Sequence, residues 1–325
     1  MMYTPKENFI HFYHNEPVEW TPMADDMRMF QPEEFNLYIA RGFVFQQQPF
    51  PPEKFGGPDW FGVEWTYDPV SRGSMEVAHP LSEISEWEEK ITFPNLDDYD
   101  WEGIGRKNAD YLNTDKMIAT TIFSGFFERL ISFVGFENAA IALIDEDEQE
   151  EVHRLFSRLA DLYIDYIRRF HEHYGAMHVC IHDDWGTQRG LIFSPDIHEE
   201  MVRPYIQRVI DAVHAMGMSY EQHSCGNMTK LVPALIEMGV DTWLGQDLGN
   251  ANHKDEMLEA YGDRFKFGVT LPKLSTTDLE ASKPEIRAAV DKYAPMRVWL
   301  RSERSYTPEQ KAYTYQYVRE LGSKQ

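Results

Sequence analysis

The pattern of hydrophobic and polar positions changes near residue 110. Beyond it, short apolar runs alternate with longer segments whose apolar residues recur at helical spacing. Short runs bounded by turn residues are typical of buried strands, whereas a period of about 3.6 is typical of amphipathic helices. The pattern predicts strands at 116–124, 177–182, 218–223, 240–246, 265–270 and 297–301. It predicts helices at 148–174, 194–215, 256–261, 284–293 and from 307 onwards.

Residues 1–110 are rich in aromatic residues, proline and glycine, and their periodicity is weak. A proline-edged run at 17–22 predicts a first strand there. The segment 45–65 is predicted to be loop, and it carries Trp60, Phe61 and Trp65. Aromatic residues this dense either seal the core of their own loop or line a pocket. We expect these three to contact substrate, with the loop core as the alternative.

Alternation of strands and helices at this spacing predicts a parallel sheet. The number of units favours a TIM (β/α)8 barrel, with an aromatic-rich N-terminal segment (1–110) before the regular β/α units (111–325). We expect one domain over 1–325. A doubly wound sheet is the alternative, although no G-x-G-x-x-G motif follows an early strand.

Charge and cysteine content narrow the classes of function. The chain has 54 acidic against 31 basic residues, a net charge of −23, which disfavours binding to nucleic acid and to anionic membranes. Two cysteines do not make a disulfide framework, so a reducing compartment is expected. With no apolar leader and no apolar stretch near the roughly 20 residues of a membrane span, we expect a soluble cytoplasmic protein.

The stretch 220–227 offers metal-ligand side chains at the end of a predicted strand. Glu221, His223 and Cys225 alternate with other residues, so in an extended chain they project from one face. An imidazole and a thiolate two residues apart suit zinc. Glu221 and Cys225 lie about 13 Å apart in a straight strand, so His223 and Cys225 form the core pair and Glu221 is the third candidate. Packing of a buried cysteine is the alternative interpretation.

Polar residues follow four predicted strands: Asp183 and Asp184, then Glu221, His223 and Cys225, then Gln246 and Asp247, then Arg301 and Glu303. In a barrel the C-terminal ends of the strands meet on one face, where the chemistry collects. We therefore predict that Asp183 and Asp184 are catalytic and that Trp185 beside them contacts substrate. His182 is a candidate for supporting the ligands, and Cys180 is expected to pack in the core.

Three motifs give the chain a family resemblance: H-D-D-W-G-T-Q-R-G-L-I-F-S-P at 182–195, H-S-C-G-N at 223–227 and L-I-E-M-G-V-D at 235–241. Over roughly residues 110–320 the chain resembles the uroporphyrinogen decarboxylase superfamily. The resemblance implies a TIM barrel. It leaves two branches, decarboxylases of the porphyrinogen and zinc methyltransferases that serve corrinoid proteins.

The decarboxylase branch carries an R-Q-A-G-R motif after the first strand, where this chain has Arg28 beside two aspartates. The methyltransferase branch carries H-x-C followed by G-N, as here, plus a distant cysteine near the last strand. Residues 300–303 contain no cysteine. Glu221 or Glu303 would then supply an oxygen ligand beside His223 and Cys225, with Gln246 and Asp247 as further candidates.

The resemblance implies a zinc-dependent methyltransferase that moves a methyl group from a methoxylated, aromatic substrate to a Co(I) corrinoid. No corrinoid-binding D-x-H-x-x-G motif is present, so a partner corrinoid protein would carry that cofactor. Methyl transfer from methylcobamide to a thiol or tetrahydrofolate is one alternative. A uroporphyrinogen decarboxylase and a non-catalytic binding protein are the others.

Overall fold

The structure is a computed structural model that describes residues 3–71, 73–245 and 254–322. Its strands are β1 Met27–Met29, β2 Gly57–Pro58, β3 Glu64–Asp68, β4 Gly73–Glu76, β5 Met117–Ile122, β6 His178–His182, β7 Ser219–His223, β8 Thr242–Leu244, β9 Lys266–Thr270 and β10 Val298–Arg301. Its helices are α1 Pro5–Tyr13, α2 Asn36–Arg41, α3 Trp87–Lys90, α4 Trp101–Lys107, α5 Ala109–Leu112, α6 Phe127–Val134, α7 Phe136–Ala142, α8 Gln149–Tyr174, α9 Pro195–Ile197, α10 Arg203–Ala215, α11 Val232–Glu237, α12 Lys254–Tyr261, α13 Leu279–Tyr293 and α14 Pro308–Gly322.

A curled, seven-stranded parallel sheet organises the mixed α/β fold, in the order β1-β5-β6-β7-β8-β9-β10. The last six of these strands lie inside the six ranges predicted from residue 116 onwards, which confirms those predictions. Every residue of β5 and of β7 is buried. Burial on both faces explains the largely apolar run of β5, whereas β7 is equally buried but carries the polar residues Ser219, Glu221, Gln222 and His223.

The two edges of the sheet approach each other at the N-terminal segment. Met23 makes a parallel bridge to Leu300 in β10, and the Leu300 amide donates to the Pro22 carbonyl at 2.8 Å. The prediction of a first strand at 17–22 was wrong in position, because the pairing with β5 begins only at Met27. Within the described ranges the sheet has seven parallel strands, so the predicted eightfold repeat is only partly seen.

Helix α1 covers the end of the sheet at which the strands begin. A capping box of Thr4 and Glu7 starts this helix. Its residues Phe9, Phe12 and Tyr13 form a buried cluster with Met117 and Trp299, and the Tyr13 ring stacks on His178. The opposite end, where the strands finish, is thereby left for the polar residues that follow them.

The segment 45–65, predicted as loop, contains regular structure at its C-terminal end. Strand β3 pairs antiparallel with β2 and with β4, which makes a small separate sheet. Period-2 alternation along β3, with Trp65 buried between exposed neighbours, is the signal for this strand. None of the described helices is long and apolar enough to cross a membrane.

Candidate metal centre

Two histidines at the ends of neighbouring strands form the centre of the site. Strands β6 and β7 pair in parallel with His182 opposite His223. Their imidazole rings stack with centroids 4.0 Å apart and planes within 16°. Because the side-chain period of a strand is two, both rings lie on the face of the sheet that also carries Cys180 and Glu221.

Asp184 adds a carboxylate to the two imidazoles. Its Oδ1 lies 3.8 Å from Nε2 of His223. One ligand atom from each of His182, Asp184 and His223 lies within 4.8 Å of the others, close enough to hold one metal ion. The same Oδ1 accepts a hydrogen bond from the backbone N–H of Cys225 at 2.6 Å, which ties the loop after β6 to the loop after β7.

Cys225 brings a thiol to the same place. Its Sγ lies 3.5 Å from Nε2 of His223, so the structure brings together the two residues predicted as the core pair. The chain turns here at Gly226, whose φ is +77° and whose backbone touches Gly186. A Cβ at Gly226 would lie 2.3 Å from the Gly186 carbonyl carbon, so only glycine fits where the two loops cross.

Glu128 lies behind His182. Its Oε2 is 3.1 Å from Nδ1 of His182, and the hydrogen bond leaves Nε2 of that ring for a ligand. A carboxylate that holds the second nitrogen of a metal-binding histidine is a common arrangement, because it fixes the tautomer and the ring orientation. Glu128 lies in the first turn of helix α6, which follows β5 in the chain, and the interpretation of the sequence missed it.

The surroundings keep the two imidazoles neutral. Burial lowers the pKa of His182 to about 4, and it lowers the pKa of His223 well below the usual value, with the nearby His182 ring adding to the effect. Burial raises the pKa of Glu128 to about 7, although Arg41 opposes the shift. A neutral imidazole is the form that binds a metal, so both rings are ready for ligation at neutral pH.

The donor set suits zinc. Two imidazole nitrogens and one carboxylate oxygen lie close enough to supply three positions of a tetrahedral site, and the thiol beside His223 is the candidate for the fourth. A borderline-soft ion accepts such a mixture, whereas Mg²⁺ and Ca²⁺ prefer oxygen alone. The side chains of His182, Asp184 and His223, with the Cys225 thiol beside His223, therefore suit the metal that the motif at 223–225 indicated.

Asp183 and Asp184, both predicted as catalytic, have different positions. Asp183 is fully buried, and its carboxylate accepts from the backbone N–H groups of Phe126, Phe127 and Glu128 at 2.8–3.1 Å. It therefore caps the start of α6 and positions Glu128. Burial raises the pKa of Asp183 to about 7, although these N–H groups favour its charged form. Of the two aspartates, Asp184 is the one that reaches the histidines.

The other predicted oxygen ligands lie outside the cluster. Glu221 is buried, with Oε1 3.9 Å from Nε2 of His178, one layer closer to the start of the strands than His223. Glu303 accepts from the backbone N–H of Ser305 at 2.8 Å and also bonds the Ser305 hydroxyl. Gln246 and Asp247 lie outside the described residues. Among the residues that the structure does describe, Asp184 is the carboxylate that lies within reach of both histidines.

The aromatic residues predicted to contact substrate are buried. The exposed fractions of Trp60, Phe61, Trp65 and Trp185 do not exceed 7%. The Trp60 ring packs edge-on against Tyr166, and the Trp65 indole N–H donates to Asp59. Their positions agree with the alternative interpretation, a core within the loops. Their contact with substrate stays a prediction that these positions do not favour.

A different aromatic pair lies beside the cluster. Phe123, at the end of β5, has its ring centroid 5.7 Å from that of His182. Phe43 stacks on Phe123 at 4.7 Å and is 37% exposed. The rings of His223, His182, Phe123 and Phe43 thus lead from the cluster to solvent. No sequence pattern pointed to Phe43, because its neighbour Phe123 is 80 residues away.

The family of the chain follows from its sequence. Residues 127–295, just over half of the 325, match the family model "Uroporphyrinogen decarboxylase (URO-D)". The chain belongs to this family. No curated protein matches it.

The solved structures to which the chain is similar are distant in sequence. An intracellular xylanase from Thermoanaerobacterium saccharolyticum is 12% identical, with 64% of this chain and 72% of that chain covered and a TM-score of 0.38. A chitinase from Rhizomucor miehei is 10% identical, with 75% and 91% covered and a TM-score of 0.39. A sugar phosphate isomerase/epimerase from Parabacteroides distasonis is 8% identical, with 71% and 80% covered and a TM-score of 0.31.

Proposed function

We propose that the protein is a zinc-dependent methyltransferase that moves a methyl group from a methoxylated substrate to the Co(I) corrinoid of a partner protein. The observation that carries the proposal is the cluster of His182, Asp184 and His223, with the Cys225 thiol 3.5 Å from His223. Membership of the URO-D family is consistent with it, since the resemblance of 182–195 and 223–227 points to the methyltransferase branch.

Each side chain of the cluster has a role in this proposal. His182, Asp184, His223 and Cys225 would hold the zinc, and Glu128 would hold the His182 ring in place. Zinc bound there would act as a Lewis acid that stabilises negative charge on an oxygen as its bond to a methyl group breaks. A site with one thiol among nitrogen and oxygen donors suits an oxygen-bearing methyl donor.

The aromatic pair beside the cluster would bind the body of the substrate. Phe123 contacts His182, and the partly exposed Phe43 offers the outer face of its ring to an incoming ring. Stacked aromatic pairs contribute about 0.5–1.5 kcal/mol beyond the area they bury. This pair takes the role that the sequence suggested for Trp60, Phe61 and Trp65.

The methyl acceptor must be a strong nucleophile, and the family resemblance implies a corrinoid on a separate protein. No residue of this chain argues for that partner independently. The reverse direction, from methylcobamide to a thiol or tetrahydrofolate, uses the same cluster and is the alternative. It is favoured if a thiol substrate, not an ether oxygen, takes the position beside Cys225.

A uroporphyrinogen decarboxylase is the second alternative, supported by the family model itself. Against it, Arg28 is already engaged: its guanidinium donates to the Tyr111 carbonyl at 2.9 Å and lies over the Tyr111 ring. A porphyrinogen with many carboxylates needs several arginines free to pair with it.

The test is to mix zinc-loaded protein with a Co(I) corrinoid protein and a panel of methoxylated aromatics, and to follow the visible spectrum. Formation of methyl–Co(III) that is lost in His223→Ala supports the proposal. Demethylation of methylcobalamin only when a thiol or tetrahydrofolate is supplied would reverse the direction. Release of CO₂ from uroporphyrinogen would replace the proposal with the decarboxylase.

A further inference from the structure

A cavity opens between the loop after β6 and the loop after β7. It has a volume of about 550 Å³, within the range of small-molecule sites. Its lining residues are Arg189, Gly190, Leu191, Ile192, Phe193, Ser194, Pro195, Asn227, Thr229 and Lys230. None of the metal-cluster side chains is among them, so this cavity is distinct from the candidate metal centre.

The charge of the lining is opposite to that of the chain. The protein has 54 acidic and 31 basic residues, yet the lining contains Arg189 and Lys230 and no acidic residue. Both side chains are exposed, and among the ion pairs and side-chain hydrogen bonds of the described residues neither the guanidinium nor the ammonium takes part. Elsewhere on the surface many cations are paired, as Arg203 is with Glu199. Two unpaired cations at the mouth of one cavity favour an anion.

The remaining lining is partly polar and partly apolar. The Thr229 hydroxyl is buried and has no hydrogen-bond partner among the described residues. A buried hydroxyl without a partner is costly, and a ligand oxygen would satisfy it. Leu191, Ile192 and Phe193 are half-buried and form an apolar wall. The cavity can thus bind a polar head and an apolar body at once.

The loops that form the cavity are held firmly together. The backbone N–H of Asn227 donates to the Thr187 carbonyl at 2.7 Å, and the backbone N–H of Thr187 donates to the Gly190 carbonyl at 2.7 Å. The Ile192 amide donates to the Trp185 carbonyl at 2.8 Å. A lining fixed by backbone hydrogen bonds loses little conformational entropy when a ligand binds.

We propose that this cavity binds an amphipathic small-molecule anion, an apolar ring or chain that ends in a carboxylate or a phosphate. Arg189 and Lys230 pair with the charged end, the Thr229 hydroxyl donates to it, and Leu191 and Phe193 contact the apolar body. The proposal does not depend on the function proposed for the metal cluster.

Isothermal titration with benzoate and with phenyl phosphate tests the site, and benzamide serves as the neutral probe. The wild type should bind at least one anion and not benzamide, and the tighter of the two anions identifies the head group. Arg189→Gln and Lys230→Gln should each weaken binding about tenfold, because a charge-assisted hydrogen bond is lost. Arg287→Gln, a change to an exposed arginine on α13, should leave binding unchanged. Thermal melts of all variants should match the wild type, since the altered side chains are exposed.

His223→Ala separates this site from the metal cluster. Anion binding that persists in His223→Ala and is about tenfold weaker in Arg189→Gln supports the proposal. Binding that disappears in His223→Ala but survives in both cation variants would place the anion on the metal centre and overturn it. Equal binding of benzamide, or no binding of either anion at millimolar concentration, would also overturn it.

Discussion

The rings of His182 and His223 stack at 4.0 Å between centroids, from directly opposed positions on adjacent parallel strands. Burial lowers the pKa of both rings, and the His182 ring lowers that of His223 further, so both imidazoles are neutral at physiological pH. A cation bound by one nitrogen of each ring and by the Asp184 carboxylate would make this buried pair part of a ligand set. The zinc proposal therefore concerns particular ligand atoms of His182, Asp184 and His223.

We expect His182→Ala and His223→Ala each to remove the zinc. Elemental analysis after dialysis should give about one zinc per wild-type chain and almost none in either variant, since losing one of three or four protein ligands opens the site. His173→Ala, a change to an exposed histidine at the end of α8, is the control and should retain the metal. Full occupancy in the His182 variant would remove that residue from the ligand set.

The two neighbouring aspartates should respond differently to substitution. Asp183→Ala removes three hydrogen bonds to the start of α6, so the free energy of unfolding should fall by about 2 kcal/mol or more. Asp184→Asn keeps an oxygen for the Cys225 amide and should leave stability nearly unchanged while it weakens zinc binding. Urea denaturation and zinc titration distinguish the two effects. Equal loss of stability in both variants would contradict the assignment.

Glu128→Gln should lower zinc affinity about 10–100-fold, because the ring of His182 loses the carboxylate that orients it. Competition with a chromophoric chelator measures this affinity. Glu137→Gln, an exposed position on α7, is the matched control and should have the wild-type affinity. If Glu128→Gln binds zinc as tightly as the control does, the carboxylate does not support the site.

Phe43→Ala should raise the KM for a methoxylated aromatic substrate about 3- to 10-fold, which corresponds to one lost ring contact. Its stability should change little, because the ring is 37% exposed. Trp60→Ala should instead lower the free energy of unfolding by about 3–5 kcal/mol, since its ring is packed in the loop core. Steady-state kinetics and thermal melts of both variants make the comparison. A rise in KM in the Trp60 variant alone, with stability intact, would restore the original expectation.

The ends of the strands could be predicted well from the sequence. The residues that face each other on neighbouring strands could be predicted less well. His223 and Cys225 could be found because they are two residues apart on one strand, so their shared face follows from its period. His182 could be placed at a strand end, but its position opposite His223 depends on the register of β6 and β7. Register is fixed by packing between strands, which a single sequence does not reveal.

Neighbouring residues with the same side chain were also hard to separate. Asp183 and Asp184 look alike in the sequence, yet the former points to α6 and the latter to His223. Their opposite directions follow from the alternation of an extended chain, but which of them faces the cluster depends on where α6 packs.

The density of aromatic residues in the segment 45–65 did not distinguish a loop core from a substrate pocket, because both need buried rings.

Anomalous diffraction at the zinc edge, from crystals of the zinc-loaded protein, locates the metal itself. We expect one peak bonded to His182, Asp184 and His223, with the Cys225 sulfur at about 2.3 Å. A zinc bonded to Glu221 or Glu303 instead of Asp184 would contradict the ligand set. No peak between the two histidines in fully folded protein would contradict the metal centre itself.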